Sequence, residues 1–346
     1  MALLDRGYGK QFTWSRYPWL DIWGVWDTFW YMDIAQNGYS TIGPIASTPN
    51  QTNFPFFPLY PGLMHLLGKI TNGEYYLAGI VISNVALVVA GYLLYKLVAM
   101  DSGHSTALRS VKYLFLYPVA FIFSGVFTES LYLCLTLLCF YLAKQEKWWL
   151  AGLAGALLSA TRTLGILIVL PLAFEYGRHI DFKIKNLRLN SLFVLLIPSG
   201  LAGFCLYSYQ ATGDFFYFKS NQSAWGREIL NPVASLWIAI RQGVEQQDAK
   251  TLTEIAFTLV TLLLLTVFFR KINFSYWLYG LYSILIPLSA GILSIPRYTL
   301  PIFPLFIALA HLSRKDKAVD DTLTIFCGCL QGCLMVFWCT GQSLIV

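Results

Sequence analysis

The sequence predicts an all-α, polytopic membrane protein, and three observations lead to this fold class. Of the 346 residues, 57% are hydrophobic. Only 12% are charged, about half the share in an ordinary soluble domain. The apolar residues occur in long blocks rather than in strict alternation, which favours membrane-spanning helices over a β-barrel. The same composition excludes a soluble enzyme, a disordered chain and a disulfide scaffold.

Ten apolar blocks are candidate transmembrane segments, so the sequence predicts a bundle of about ten helices. Several blocks are shorter than the ~20 residues of a perpendicular crossing, which predicts broken or tilted helices around a cavity. The candidate segments are 76–98, 110–125, 127–143, 148–161, 163–177, 190–209, 252–270, 275–294, 298–312 and 322–341.

Short basic connectors between these segments indicate the orientation of the chain. Fourteen of the 24 Lys and Arg residues fall in five connectors on one side, and this side is expected to face the cytoplasm. The bias accounts for the net charge of +6 without a nucleic-acid partner. The sequence then divides into a first extracytoplasmic segment (1–75), six membrane helices (76–209), a second extracytoplasmic loop (210–251) and four membrane helices (252–346).

Two parts of the first extracytoplasmic segment need separate interpretations. Residues 1–26 contain neither a span nor a signal peptide, although the topology places them outside. We expect a further helix ahead of Met1; the alternative is that the short aromatic tail crosses unaided. Residues 56–71 are apolar but short, and a crossing there would invert every later connector. They are therefore expected to lie along the outer interface or to re-enter it.

A tryptophan-rich acidic motif occupies residues 17–40. A helix that begins at Asp27 places this residue on one face with Trp30 and Tyr31, and Asp33 about 120° away. A carboxylate among indole rings at a membrane surface is partly desolvated, which suits a general base. The rings suit sugar faces or an interfacial belt. The alternative is that Asp27 caps the helix and the aromatic side chains only anchor it.

Three further charged residues lie at the outer ends of candidate spans: Glu129, Arg162 and Arg297. Charges at this depth are costly and usually line a pathway or a site. Outer arginines run against the charge bias, which favours binding of an anion such as phosphate. The alternatives are that Glu129 complements a helix dipole and that the arginines reach the outer interface.

The second extracytoplasmic loop carries Gln222, Trp225 and Arg227. These side chains suit contact with a polar acceptor or a diphosphate, and the alternative is an ordinary solvated loop. A glycine-rich phosphate loop, a zinc-protease motif and a serine-nucleophile motif are all absent from usable positions, and the four histidines are scattered. Nucleotide use, zinc catalysis and a serine nucleophile therefore lack support.

Two motifs resemble those of a known family. Residues 26–39 (WDTFWYMDIAQNGY) followed by 56–61 (FFPLYP) resemble the first outer loop of the PIG-V-like mannosyltransferases, which belong to the GT-C glycosyltransferases. That pattern has proline after the arginine near 162, whereas Thr163 follows here, so the sequence does not dictate a helix break at this point. The likeness covers about 17–310, with further matches in order at 127–131, 147–152, 161–165, 222–227, 296–298 and 303–306.

The resemblance implies an inverting glycosyltransferase that moves mannose from a polyprenyl (dolichyl) phosphate to a lipid-linked or glycan acceptor. Asp27 is implied to be the catalytic base, and Asp33 to orient it or to bind a sugar hydroxyl. Arginines can neutralise a single phosphate, so neither a metal nor another cofactor is expected. The residues implied to bind substrate are Trp26, Tyr31, Asp33, Tyr60, Glu129, Arg162, Gln222, Trp225, Arg227, Arg297 and Tyr298.

The expected partners are thus a polyprenyl-phosphate-linked sugar donor, a glycan or glycolipid acceptor and membrane lipids. The expected location is the bacterial cytoplasmic membrane, or the endoplasmic reticulum in a eukaryote. A transporter or flippase for a lipid-linked sugar is an alternative from another class, because it would use the same groove and arginines without Asp27 as a base. A non-catalytic subunit of a membrane complex is a further alternative.

Overall fold

The computed structural model describes residues 13–43, 50–221, 230–342 and 344, and these ranges contain helices but no β-strand. The prediction of an all-α protein is confirmed. The helices, in chain order, are α1 (Thr28–Asn37), α2 (Leu59–Ile70), α3 (Tyr75–Ser102), α4 (His104–Leu116), α5 (Glu129–Lys144), α6 (Trp148–Ser159), α7 (Val169–His179), α8 (Ser199–Thr212), α9 (Tyr217–Ser220), α10 (Pro232–Gln246), α11 (Ala249–Val267), α12 (Phe274–Ser289), α13 (Ile295–Thr299), α14 (Pro304–Ser313) and α15 (Lys317–Cys339).

Four helical segments of the described ranges are long and apolar enough to cross a membrane. They are Tyr75–Ser102, Leu189–Thr212, Ala249–Val267 and Lys317–Cys339, and α6 and α14 are shorter apolar helices. The chain is an integral membrane protein. Every one of the ten predicted spans overlaps at least one observed helix, whereas the number of crossings stays a prediction.

Two of the predicted spans are interrupted next to proline. Within 110–125, α4 ends at Leu116 and Pro118 follows, after which the chain continues as a short 3₁₀ turn. Within 298–312, α13 ends at Thr299 and α14 begins only at Pro304. Proline has no N–H to continue the hydrogen bonds of a helix, and Pro118 and Pro301 lie at the two breaks, so both follow from the sequence.

One compact unit consists of residues 27–86 and 126–228. Here α6 packs against α5 and α8 so closely that a Cβ atom on Gly200 would come within 2.0 Å of a backbone oxygen of α6. A Cβ atom on Gly165 would come within 2.3 Å of the Leu158 oxygen. This close approach accompanies an extended backbone at Arg162, which lies after the end of α6 at Ser159 and directly before a 3₁₀ turn. The helix break near Arg162 therefore forms without proline.

The other compact unit consists of the described parts of 1–26, together with 87–125 and 229–346. In this unit α11 packs against α10, α12, α13 and α14, and α14 packs against α4. Asp320 of α15 accepts hydrogen bonds from Lys112 Nζ and Tyr113 Oη of α4, both at 2.7 Å. Arg109 adds an ion pair at 2.8 Å, so a polar cluster fastens the start of α15 to α4.

The segment predicted as a loop, 210–251, contains the helix α10 in its described part. Asn231 caps this helix, since its Oδ1 accepts from the N–H of Val233 at 2.9 Å, and Pro232 fills the first helical position. Both are standard signals for a helix start. Val233 and Trp237 expose 76% and 68% of their surface, so this helix presents apolar side chains outwards.

Candidate active site

Asp27 lies immediately before the first residue of α1. Its backbone oxygen accepts from the N–H of Trp30 at 3.0 Å, but its side chain makes no capping hydrogen bond. The residue before it, Trp26, has a left-handed backbone with φ 55°, which costs a non-glycine residue about 1–2 kcal/mol. The chain therefore turns sharply into α1 at Asp27, and the interpretation that this carboxylate caps α1 does not agree with the geometry.

The aromatic side chains of α1 pack against the second motif. Trp30 stacks on Phe56 with 5.6 Å between ring centroids and 10° between planes. Tyr31 meets Phe56 and Tyr60 edge to face at 5.3 and 5.2 Å. Trp30 and Tyr31 are 5% and 4% exposed. The two most specific sequence motifs thus form one buried aromatic cluster, which fixes α1 on α2.

A polar bridge connects α1 to the start of α5 and to the turn after α6. Tyr31 Oη lies 3.4 Å from Thr128 Oγ1, and Arg162 Nε donates to this same oxygen at 2.8 Å. Arg162 Nη2 also forms an ion pair with Glu129 Oε1. Glu129 is fully buried and the Arg162 side chain is 16% exposed. The structure thus brings three predicted site residues, Tyr31, Glu129 and Arg162, into one cluster.

Tyr60 fastens the same region from the side of α2. Its hydroxyl lies 2.8 Å from Ser83 Oγ and donates to the Gly79 oxygen at 3.0 Å, both on α3. Ser83 Oγ donates to the Phe127 oxygen at 3.3 Å, just before Thr128. Burial raises the pKa of Tyr60 far above its usual value, and the hydrogen bond to Ser83 opposes this rise. The phenol therefore stays protonated and holds α2 against α3.

Asp33 is engaged by the amides of neighbouring residues. Its Oδ1 accepts from Asn37 at 2.9 Å and its Oδ2 accepts from Asn53 at 2.7 Å. Thr52, the neighbour of Asn53, donates through its hydroxyl to Asn221 Oδ1 at 3.0 Å. These contacts link α1 to Asn221, which lies in the second extracytoplasmic loop just before the undescribed residues 222–229. The Asp33 carboxylate thus supports the loop that follows α1.

The remaining predicted site residues fall into two groups. Arg297 and Tyr298 lie on α13 in the unit that also contains Trp26. Arg297 is 7% exposed, with its guanidinium carbon 5.8 Å from the centre of the Tyr298 ring. The second group lies outside the described residues and comprises Gln222, Trp225 and Arg227.

Three residues that contact predicted site residues or the start of α13 were not predicted: Thr128, Asn53 and Glu254, whose Oε1 accepts from the N–H of Ser294 at 2.8 Å. Thr128 adjoins the predicted Glu129, and Glu254 is a lone acid within an apolar span, a pattern that usually marks a functional position. Asn53 carries no comparable signal, because its role depends on a contact across 20 residues. Among the described residues, no group of three His, Cys, Asp or Glu side chains is arranged to hold a metal ion.

The comparisons with known proteins concern the fold. No protein-family model and no curated protein sequence matches this chain. Among solved structures, ArnT from Cupriavidus metallidurans bound to undecaprenyl phosphate is similar, with a TM-score of 0.53 and 14% identity. The match covers 89% of this chain and 62% of that chain. The fold is of the GT-C type.

The predicted GT-C-type fold class is therefore confirmed, and the resemblance to the PIG-V-like family stays a prediction. The Archaeoglobus fulgidus oligosaccharyltransferase in complex with zinc and sulfate is also similar, at 14% identity and a TM-score of 0.46, over 95% of this chain and 49% of that one. This second likeness is too weak to support an argument. At 14% identity the ArnT likeness establishes the fold alone.

Proposed function

We propose that this membrane protein is an inverting glycosyltransferase of the PIG-V-like type. It transfers a sugar, mannose in the first instance, from a polyprenyl phosphate to a glycan or glycolipid acceptor on the extracytoplasmic side. The convergence of α1, the start of α5 and the Arg162 turn on one polar bridge supports this function best. This bridge joins the helix that begins after Asp27 to the largely buried guanidinium of Arg162 within a GT-C-type fold.

In the proposed reaction, Asp27 acts as the general base. An acceptor hydroxyl attacks the anomeric carbon of the donor sugar while Asp27 takes up the hydroxyl proton. The bond between the anomeric carbon and the phosphate oxygen breaks, and its electron pair leaves with the polyprenyl phosphate. Because attack and departure occur on opposite faces of the sugar, the anomeric configuration inverts. The products are the glycosylated acceptor and the free lipid phosphate.

The leaving phosphate requires cations, and the three candidate arginines contribute unequally. Glu129 compensates the charge of Arg162 directly, so Arg162 is better suited to holding Thr128 and Tyr31 in place. Arg297 is buried beside an aromatic ring, and burial strengthens a guanidinium–phosphate interaction. Arg297 and Arg227 are therefore the candidate cations for the phosphate.

A transfer assay with a radiolabelled polyprenyl-phosphate sugar tests this function. The purified chain, reconstituted in lipid vesicles with candidate acceptors, is expected to form a new glycosidic bond and to release the lipid phosphate. Movement of label across the vesicle membrane without bond formation would indicate a transporter instead. Activity that appears only after other membrane proteins are added would indicate a subunit of a larger complex.

A further inference from the structure

A buried carboxylate in the span α11 is not used in the proposed reaction. Glu254 is 2% exposed, and its Oε1 accepts from the backbone N–H of Ser294 at 2.8 Å. A carboxylate within a membrane helix is costly and is rarely present without a function. The backbone group that donates to Glu254 lies in the segment just before α13, and α13 packs on α11.

The segment that Glu254 contacts is strained. Ser294 has a left-handed backbone with φ 64°, a conformation that is unfavourable for residues other than glycine. The Ser294 oxygen then accepts from the N–H groups of Arg297 and Tyr298 at 3.1 and 3.2 Å. The bond from the N–H of Ser294 to the buried carboxyl group of Glu254 fixes this backbone conformation. It holds the residue from which the short helix of Arg297 begins.

A second contact fixes the other end of this short helix. Tyr117 Oη donates to Thr299 Oγ1 at 2.9 Å, and Thr299 donates in turn to the Pro296 oxygen at 2.7 Å. Arg297 thus lies between two buried hydrogen-bonded residues, Ser294 and Thr299. All of these residues belong to the same compact unit.

We infer that Glu254 is a positioning residue, which holds the Ser294 turn so that Arg297 meets the phosphate of the lipid donor. This inference rests on the proposed function for the role of Arg297, while the link between Glu254 and the turn is independent of it. Glutamine at position 254 keeps a carbonyl oxygen that can accept from Ser294. Leucine keeps a similar volume and removes the acceptor.

The first arm of the test measures the turn without reference to activity. Hydrogen–deuterium exchange of the full-length protein in nanodiscs is compared for wild type, Glu254→Leu and Glu254→Gln. Glu254→Leu is expected to speed exchange at 292–299 and not in α2, whereas Glu254→Gln stays close to wild type. Unchanged exchange at 292–299 in Glu254→Leu would overturn the inference, and so would equal acceleration in both variants.

The second arm measures binding of undecaprenyl phosphate to the same preparations. Glu254→Leu is expected to weaken binding about tenfold, the scale of one hydrogen bond, and Glu254→Gln to restore most of it. Glu245→Leu serves as a control, because Glu245 lies on the surface and pairs only with Arg241 in the described part of the chain. Arg297→Gln is measured in parallel.

The two arms separate the inference from the proposed function. If Arg297→Gln weakens binding and Glu254→Leu does not, the positioning role is overturned. If Arg297→Gln leaves binding unchanged, the phosphate role in the proposed function fails, and the exchange experiment still decides whether Glu254 holds the turn.

Discussion

Two turns of this molecule each present an arginine just after a break in a helix, and each uses a buried glutamate differently. At the first turn, Glu129 forms an ion pair with the guanidinium of Arg162. At the second turn, Glu254 accepts from the backbone of Ser294, three residues before Arg297. In the first turn the glutamate offsets the arginine's charge, and in the second it fixes the backbone.

Because of this difference, we give Glu129 and Glu254 different roles. An arginine whose carboxylate partner is buried beside it is already compensated and mainly holds neighbouring groups together. A glutamate that accepts from a backbone N–H sets the path of the chain at that residue. The comparison therefore predicts that variants at Glu129 affect stability first, whereas variants at Glu254 affect ligand binding first.

Among the variants that test this difference between the two turns, Glu129→Leu is expected to lower the stability of the protein most. This change leaves Arg162 inside the fold without its carboxylate, and breaking one side of a buried pair costs about 3–5 kcal/mol. The midpoint of thermal unfolding in detergent should fall strongly. Glu245→Leu breaks the exposed pair with Arg241 and should cost less than about 1 kcal/mol. Equal shifts in the two variants would contradict the role given to the Arg162–Glu129 pair.

A smaller effect is expected from Thr128→Val, which keeps the shape of the side chain and removes its hydroxyl. The variant breaks the bond from Arg162 Nε and the contact with Tyr31, and a lost bond to a charged donor costs about 1–3 kcal/mol. Unfolding should shift by less than in Glu129→Leu, and undecaprenyl phosphate binding should change little. A tenfold loss of binding without a loss of stability would instead place Thr128 at the ligand.

The smallest effect is expected from Ser294→Gly. Glycine adopts the left-handed backbone without steric cost. It also raises the conformational entropy of the unfolded chain, which lowers the free energy of unfolding by roughly 0.4–1 kcal/mol. These two contributions oppose each other, so the unfolding midpoint should stay close to wild type while the N–H bond to Glu254 persists. A large loss of stability would show that the Ser294 side chain, rather than its backbone, matters at this turn.

Much of the fold follows from the sequence because hydropathy and proline act locally. Each apolar block forms helix, and the breaks beside Pro118 and Pro301 lie where proline disfavours helix. Local pattern does not reveal the break at Arg162, which accompanies the packing of Gly165 against α6. The helix α10 carries standard start signals at Asn231 and Pro232, but low hydropathy made this segment look like a loop.

Only part of the candidate site can be predicted from the sequence, because its contacts join residues that are far apart in the chain. Residue types identify Glu129 and Arg162 as unusual charges in apolar surroundings, but not as partners of each other, since 33 residues separate them. The motif already separates Asp27 from Asp33, because a helix places them about 120° apart. The structure adds that both carboxylate oxygens of Asp33 accept from the amides of Asn37 and Asn53.

That distinction between the two acids of the motif provides the most direct test of the central claim. Sugar transfer from a radiolabelled polyprenyl phosphate is measured for wild type, Asp27→Asn and Asp33→Asn, at matched expression and unfolding midpoint. Loss of a general base should lower turnover in Asp27→Asn by at least about a hundredfold while undecaprenyl phosphate still binds. Asp33→Asn should retain most turnover, because asparagine keeps one acceptor oxygen. Turnover near the wild-type rate in Asp27→Asn would contradict the account.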